Sequence, residues 1–178
     1  GYFTSNCSKT DYNLRGPKGR NPKEFWDYSG GDYAGTWKKR KEGQPFFTVY
    51  NIGDSHESRA FGDHKDESID PEKMILAPYH PDLPEMRNTY AKYASAISKM
   101  DSLVGQAIEN LKQDGLYENT IIVYNSDHGG VLARSKRFLY SSGIHCPLIV
   151  RIPEKMKDLY PKGKTPGSTM DRIVSFID

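Results

Sequence analysis

Between Pro84 and Gly115, apolar side chains fall at Met86, Tyr90, Tyr93, Ile97, Met100, Val104, Ala107 and Leu111. The steps alternate between four and three, which paints one face of a helix. Pro84 suits a first helical turn, where no backbone N–H is needed, and Gly115 suits a left-handed stop. A continuous apolar stretch follows at once, Asn119-Thr120-Ile121-Ile122-Val123-Tyr124-Asn125. Such a run predicts a strand buried on both faces. Phe46-Phe47-Thr48-Val49-Tyr50-Asn51, entered through Pro45 and left at Gly53, reads as another strand. Gly1 to Asn6 and Cys146 to Ile152 read as two more. Strand, long helix, strand, loop, strand is the order of an α/β fold: a mostly parallel sheet flanked by helices.

Composition limits what this fold can be. Apolar letters make up 36% of the 178 residues, enough for one domain but a thin core for that length. The expectation is an internal piece of a larger catalytic body, opening inside a strand and closing in a truncated element near Met170 to Asp178. Twenty-five basic residues against 23 acidic ones leave a net charge of +2, which excludes a design for nucleic acid or another bulk polyanion. Anion binding must be local. No apolar run approaches the ~18 residues of a membrane span. Cys7 and Cys146 lack CxxC spacing and form neither a disulfide scaffold nor a thiolate zinc site. From Arg15 to Gly43 lie six glycines, two prolines, eight basic and four acidic residues with little periodicity. This segment reads as an irregular basic insertion, anchored through Trp26 and Trp37 and able to face an anionic glycan. Residues Asp54 to Pro84 read as a second polar connection.

In open α/β sheets ligands bind at the carboxyl ends of strands. Three such ends carry reactive side chains: Lys9 and Asp11; Asp54, Ser55, His56 and Glu57; and Ser126-Asp127-His128-Gly129-Gly130. Asp127 and His128 offer an oxygen and a nitrogen ligand to a divalent cation, and the glycines let the backbone turn close to it. Lys136, on the returning loop, can neutralise an anionic substrate oxygen. Each of these residues alone is commonplace; their placement at successive strand ends makes them candidates.

Tyr124-Asn125-Ser126-Asp127-His128-Gly129, then Lys136, Tyr140, Gly143 and Pro147-Leu148-Ile149-Val150-Arg151, resembles the metal-binding segment of the sulfatases, members of the alkaline phosphatase superfamily. Gly115-Leu116-Tyr117-Glu118-Asn119-Thr120 before that strand is similar to the family's pattern, as is Pro45-Phe46-Phe47 through His56. The resemblance is specific from Glu85 to Arg151 and loose from Arg15 to Gly43. It implies a sulfuric ester hydrolase with an alkaline-phosphatase-like core. Asp127 and His128 would ligate a divalent cation, calcium by family habit. Lys9 and Lys136 would bind sulfate oxygens, and His56 would contact the sulfate or protonate the leaving alcohol. The expected substrate is a small-molecule or glycan sulfate ester, and the family's compartments are periplasmic, secreted or lysosomal.

Two family elements have no counterpart in the chain. The family nucleophile is a formylglycine made in a C/S-x-P-x-R motif, which neither Cys7 nor Cys146 matches. The paired aspartates that complete the metal site are also missing. Both are expected upstream of Gly1, so residues 1–178 alone should not turn over substrate. Where the family has Lys-x-His after the first strand, this chain has Lys9-Thr10-Asp11, and Asp11 does not inherit the histidine's role. The competing readings are a phosphoester or phosphonate hydrolase, or a phosphoethanolamine transferase, of the same superfamily, and a non-catalytic α/β binding module.

Overall fold

A computed structural model describes residues 1–9, 25–61 and 65–175. Five strands and two α-helices follow in chain order: β1 (Phe3–Cys7), β2 (Tyr28–Gly30), β3 (Phe46–Tyr50), α1 (Pro84–Gln113), β4 (Ile122–Asn125), α2 (Ser141–Ile144) and β5 (Leu148–Arg151). Strands β2, β1 and β3 make a parallel sheet in that order, with Phe3 opposite Phe46 and Cys7 opposite both Tyr50 and Gly30. Strands β4 and β5 form an antiparallel pair, Ile122 opposite Arg151 and Asn125 opposite Leu148. The α/β architecture is the expected one.

The central strand β1 is covered although it is rich in small polar residues. Ser5 is wholly buried, and its hydroxyl lies 2.8 Å from both Thr36 Oγ1 and Thr48 Oγ1. A buried hydroxyl without partners costs more than its hydrogen bond returns, so the Thr-Ser-Thr ladder is what makes this polar strand tenable. Trp37 closes the sheet from the side. It is 2% exposed, packs against Phe46 and Tyr50, and donates its indole N–H to Asp114 at 2.7 Å. The segment from 25 to 43 thus carries more order than its composition suggested: a strand, a 3-10 turn at Thr36–Lys39 and the largest fully buried side chain. Trp26 stacks on Phe47, 6.2 Å between ring centroids.

Helix α1 starts at Pro84 and stops as the glycine predicted. Gly115 has φ 68°, Leu116 N–H donates to Leu111 C=O at 2.9 Å, and Gly115 N–H to Lys112 C=O at 3.0 Å. This pair of bonds satisfies carbonyls left open at the helix end. Arg87 fixes the entry to the helix, gripping both Asp82 oxygens at 2.6 and 2.7 Å and the Glu72 carbonyl at 2.9 Å.

The expectation that the apolar strand near 122 is buried on both faces is not met. Val123 is 58% exposed, and Leu148, Ile149 and Val150 on β5 are exposed too. Tyr124 and Ile122 turn inward, Tyr124 reaching Met100 on α1. Among the described residues β4 pairs with β5 alone; Tyr124 meets the helix, while Val123, Leu148, Ile149 and Val150 stay open. The closing stretch from 170 to 175 forms no helix or strand.

Candidate active site

Parallel pairing puts the carboxyl ends of β1 and β3 side by side, and each end is held by polar bonds. Asn51, just past β3, donates its amide to Asn6 Oδ1 at 2.8 Å and to the Cys7 carbonyl at 3.1 Å. Asn6 in turn donates to the Lys9 carbonyl at 2.6 Å. Between them Ser8 takes a left-handed φ of 74°, stabilised by its hydroxyl bond to the Asn51 carbonyl at 3.0 Å. The chain therefore leaves β1 in a forced turn that presents Lys9.

Lys9 Nζ lies 3.2 Å from Asp127 Oδ2 at the end of β4, and His128 Nε2 lies 3.6 Å from Asp127 Oδ1. The His128 Nδ1–H donates to its neighbour's carbonyl, Gly129 O, at 2.7 Å. That bond orients the ring and directs Nε2 to the Asp127 carboxylate. Partial burial pulls the Asp127 carboxyl up, but the Lys9 hydrogen bond and the charges of His128 and Lys9 outweigh it and hold the group below the usual carboxylate range. The Lys9–Asp127 pair is solvent-exposed, and such pairs contribute little. Its ammonium is readily exchanged for another cation.

The loop after β4 folds back on itself. Gly129 N–H donates to Gly143 O at 2.9 Å, Gly130 N–H to Ser142 O at 3.0 Å, and Lys136 N–H to Gly130 O at 2.8 Å. A Cβ on Gly129 would collide with the Ser142 carbonyl, and one on Gly143 with the carbonyls of Ser135 and Phe138. The backbone approach that builds this loop excludes any larger residue at either position.

Lys136 pairs with Glu57 Oε2 at 3.5 Å, and Arg137 meets the same oxygen at 2.8 Å. Glu57 opens a 3-10 turn, Glu57–Arg59, capped by His56. His56 Nδ1 accepts from Ser58 N–H at 3.2 Å, which leaves the neutral ring's proton on Nε2, the nitrogen free to donate. Glu57 thus joins the end of β3 to the β4 loop and carries two cations on one carboxylate. Of the residues singled out from sequence, Lys9, Asp127 and His128 form one contact group. Lys136 and the His56–Glu57 turn form a second, and the β4 loop carries both groups. Asp11 lies outside the described residues.

Glu57 stood in the sequence among the reactive residues at the end of its strand but without a role, and Arg137 did not stand out at all. Their pairing spans 80 positions, and no local pattern carries it. Among the described residues no third His, Cys, Asp or Glu joins Asp127 and His128 as a potential metal ligand. The donor chemistry of the two fits a divalent cation: one anionic oxygen beside one lone-pair nitrogen whose ring is oriented by a carbonyl.

A family model described as Sulfatase matches residues 2–178. The chain belongs to the sulfatase family. An ulvan-active sulfatase of Formosa agariphila is 33% identical across 100% of this chain and 33% of its own length. An endo-4-O-sulfatase of Bacteroides thetaiotaomicron is 27% identical over 64% of the chain and 25% of its own length. Human N-sulphoglucosamine sulphohydrolase is 27% identical over 63% and 21% respectively. The chain spans about a third of the length of the first of these sulfatases and about a quarter or less of the other two.

Proposed function

We propose that this chain forms the cation-and-oxyanion part of a sulfatase catalytic domain, and that the complete protein hydrolyses sulfate esters of carbohydrates with a divalent cation, calcium by preference. The observation that carries the reading is the Lys9–Asp127–His128 contact, with His128 Nε2 directed at the carboxylate. Asp127 and His128 would hold the cation, which when bound withdraws charge from a sulfate oxygen. Lys9 and Lys136 place ammonium groups at the two strand ends, where they offset the charge of the ester's terminal oxygens. His56, with its proton on Nε2, is suited to donate to a sulfate oxygen or to the departing alkoxide. The names of the relatives support a saccharide as the alcohol part.

Neither cysteine is suited to be the nucleophile. Cys7 is fully buried, and burial, reinforced by Asp32 and only partly opposed by a Thr36 hydrogen bond, pushes its thiol up to about 11. A reactive thiol needs the opposite shift. Cys146 lies in a Cys-Pro-Leu-Ile-Val context and directs its Sγ to the Ile144 carbonyl. We assign the nucleophile to a formylglycine upstream of this segment.

The test is hydrolysis of a sulfated disaccharide by the complete protein, alongside Asp127→Ala and a phosphate monoester. The reading expects sulfate release at a rate at least a hundredfold above that of Asp127→Ala, with loss of bound calcium in the variant. Preferential turnover of the phosphate ester would move the chain to phosphoryl chemistry. Full sulfate release by Asp127→Ala would remove the site.

A further inference from the structure

Arg134 lies two positions before Lys136 and has a left-handed φ of 64°. A non-glycine residue keeps such a conformation only where its surroundings over-determine it. Here both flanking carbonyls are held. His80 Nε2 lies 3.1 Å from the Ala133 carbonyl, and Ser142 Oγ donates to the Arg134 carbonyl at 2.6 Å. His80 is itself set by Tyr90: the tyrosine hydroxyl accepts from Ala77 N–H at 3.0 Å and lies 2.7 Å from His80 Nδ1. It therefore donates to Nδ1 and leaves the proton on Nε2, facing Ala133. The loop backbone is tied to helix α1 through this relay.

The guanidinium that results is displayed. It lies over the ring of Tyr140 at 4.3 Å and that of Tyr79 at 4.6 Å. Arg87, Arg137 and Arg151 each meet a carboxylate, on Asp82, Glu57 and Glu118. Arg134 meets none among the described residues, as is also true of Arg40, Arg59 and Arg172, but of these four only Arg134 lies over two aromatic rings. Two aromatic faces hold the fork flat and reduce the side-chain freedom lost on binding, while its N–H donors remain available. A planar fork of this kind matches a carboxylate or sulfate through two parallel hydrogen bonds.

We propose that Arg134, held by Tyr79 and Tyr140, is a preformed subsite for a second anionic group of the substrate, a carboxylate or a further sulfate, beyond the ester being cleaved. The inference rests on the sulfatase reading for the location of that ester. It accounts for the strain at 134, for the two-sided clamp on its carbonyls, and for a cation left without a carboxylate beside one, Lys136, that has its own.

The test compares kcat/KM of the complete protein on three probes: 4-nitrophenyl sulfate, a disaccharide with one sulfate and one carboxylate, and a disaccharide with two sulfates. Arg134→Gly suits the left-handed backbone and removes the guanidinium; Arg134→Lys keeps charge without the planar fork. The ratio of kcat/KM on a disaccharide to that on the aryl ester should fall at least about tenfold in Arg134→Gly, the scale of a charged hydrogen-bond pair, with partial recovery in Arg134→Lys. The disaccharide that suffers identifies carboxylate or sulfate as the bound group. Ratios within twofold of wild type on both disaccharides overturn the subsite. If no probe is hydrolysed, the sulfatase reading fails, and calorimetric titration with the same disaccharides still decides the subsite. Weaker binding by Arg134→Gly than by wild type supports it, and equal binding or none by either overturns it.

Discussion

The two halves of the candidate site are ordered for different reasons. Around β1 and β3, order comes from burial: Ser5, Asn6, Cys7, Thr36 and Trp37 are all nearly inaccessible, and hydroxyl and amide pairs satisfy the polar ones. Around β4, the strands are open to solvent, and order comes from backbone contact. Gly129 and Gly130 bond to the stretch at 142–143, and no side chain larger than hydrogen fits at 129 or 143. Burial supplies the anchored platform that presents Lys9 and His56. The glycine-lined loop carries Asp127, His128 and Lys136 to it. A site assembled this way can be weakened in one half by emptying a core and in the other by adding a single methyl.

The largest effect is expected from Trp37→Ala. Losing this buried indole and its bond to Asp114 should cost about 3–5 kcal/mol in a urea unfolding experiment. A loss below ~1 kcal/mol would mean the burial-based half owes little to it. Gly143→Ala should cost about 1–3 kcal/mol by overpacking and should also depress sulfate release, since the displaced carbonyls belong to the loop that carries Lys136. Unchanged stability and turnover would show that the loop has room the structure denies. Ser5→Ala should cost ~1 kcal/mol, with no effect on the β4 loop as read by hydrogen exchange at Gly129 and Gly130. A further effect appears only at alkaline pH. The Cys7 thiol is raised from an ordinary 9.0 to about 11, so the folded state favours the neutral form. Its stabilising contribution is complete below the unfolded thiol's value and is lost as pH rises toward and through about 11. Cys7→Ala should flatten the alkaline limb of a stability–pH curve; an identical limb would assign the loss to other groups.

How much of this was visible in the residues follows the same division. The alternating steps from Met86 to Leu111 and the stop at Gly115 are local, and the helix appeared where they placed it. The Asp127–His128 pair and Lys136 stood out as candidates because reactive residues at a strand end contrast with an apolar run. Lys9 stood out as a lysine after a strand, with a sulfate-binding role implied by the family resemblance; its contact with Asp127 spans 118 positions. Glu57 as the hub for Lys136 and Arg137 is likewise a product of tertiary placement. The burial of β4 was misjudged because an apolar run reports what a strand can bury, not which faces its neighbours cover. The order from 25 to 43 was hidden by glycine and charge. A three-residue parallel strand and one tryptophan leave almost no periodic signal.

We propose that the ammonium at 136, which lies against Glu57, acts on the same substrate oxygens as the group around Asp127. The direct measurement is kcat/KM for sulfate-ester hydrolysis by the complete protein and by Lys136→Ala, at matched folded fraction. Removing a preorganised charge at the reacting group should lower it about 10²–10³-fold, with the fold intact by circular dichroism. A rate within twofold of wild type would contradict the account.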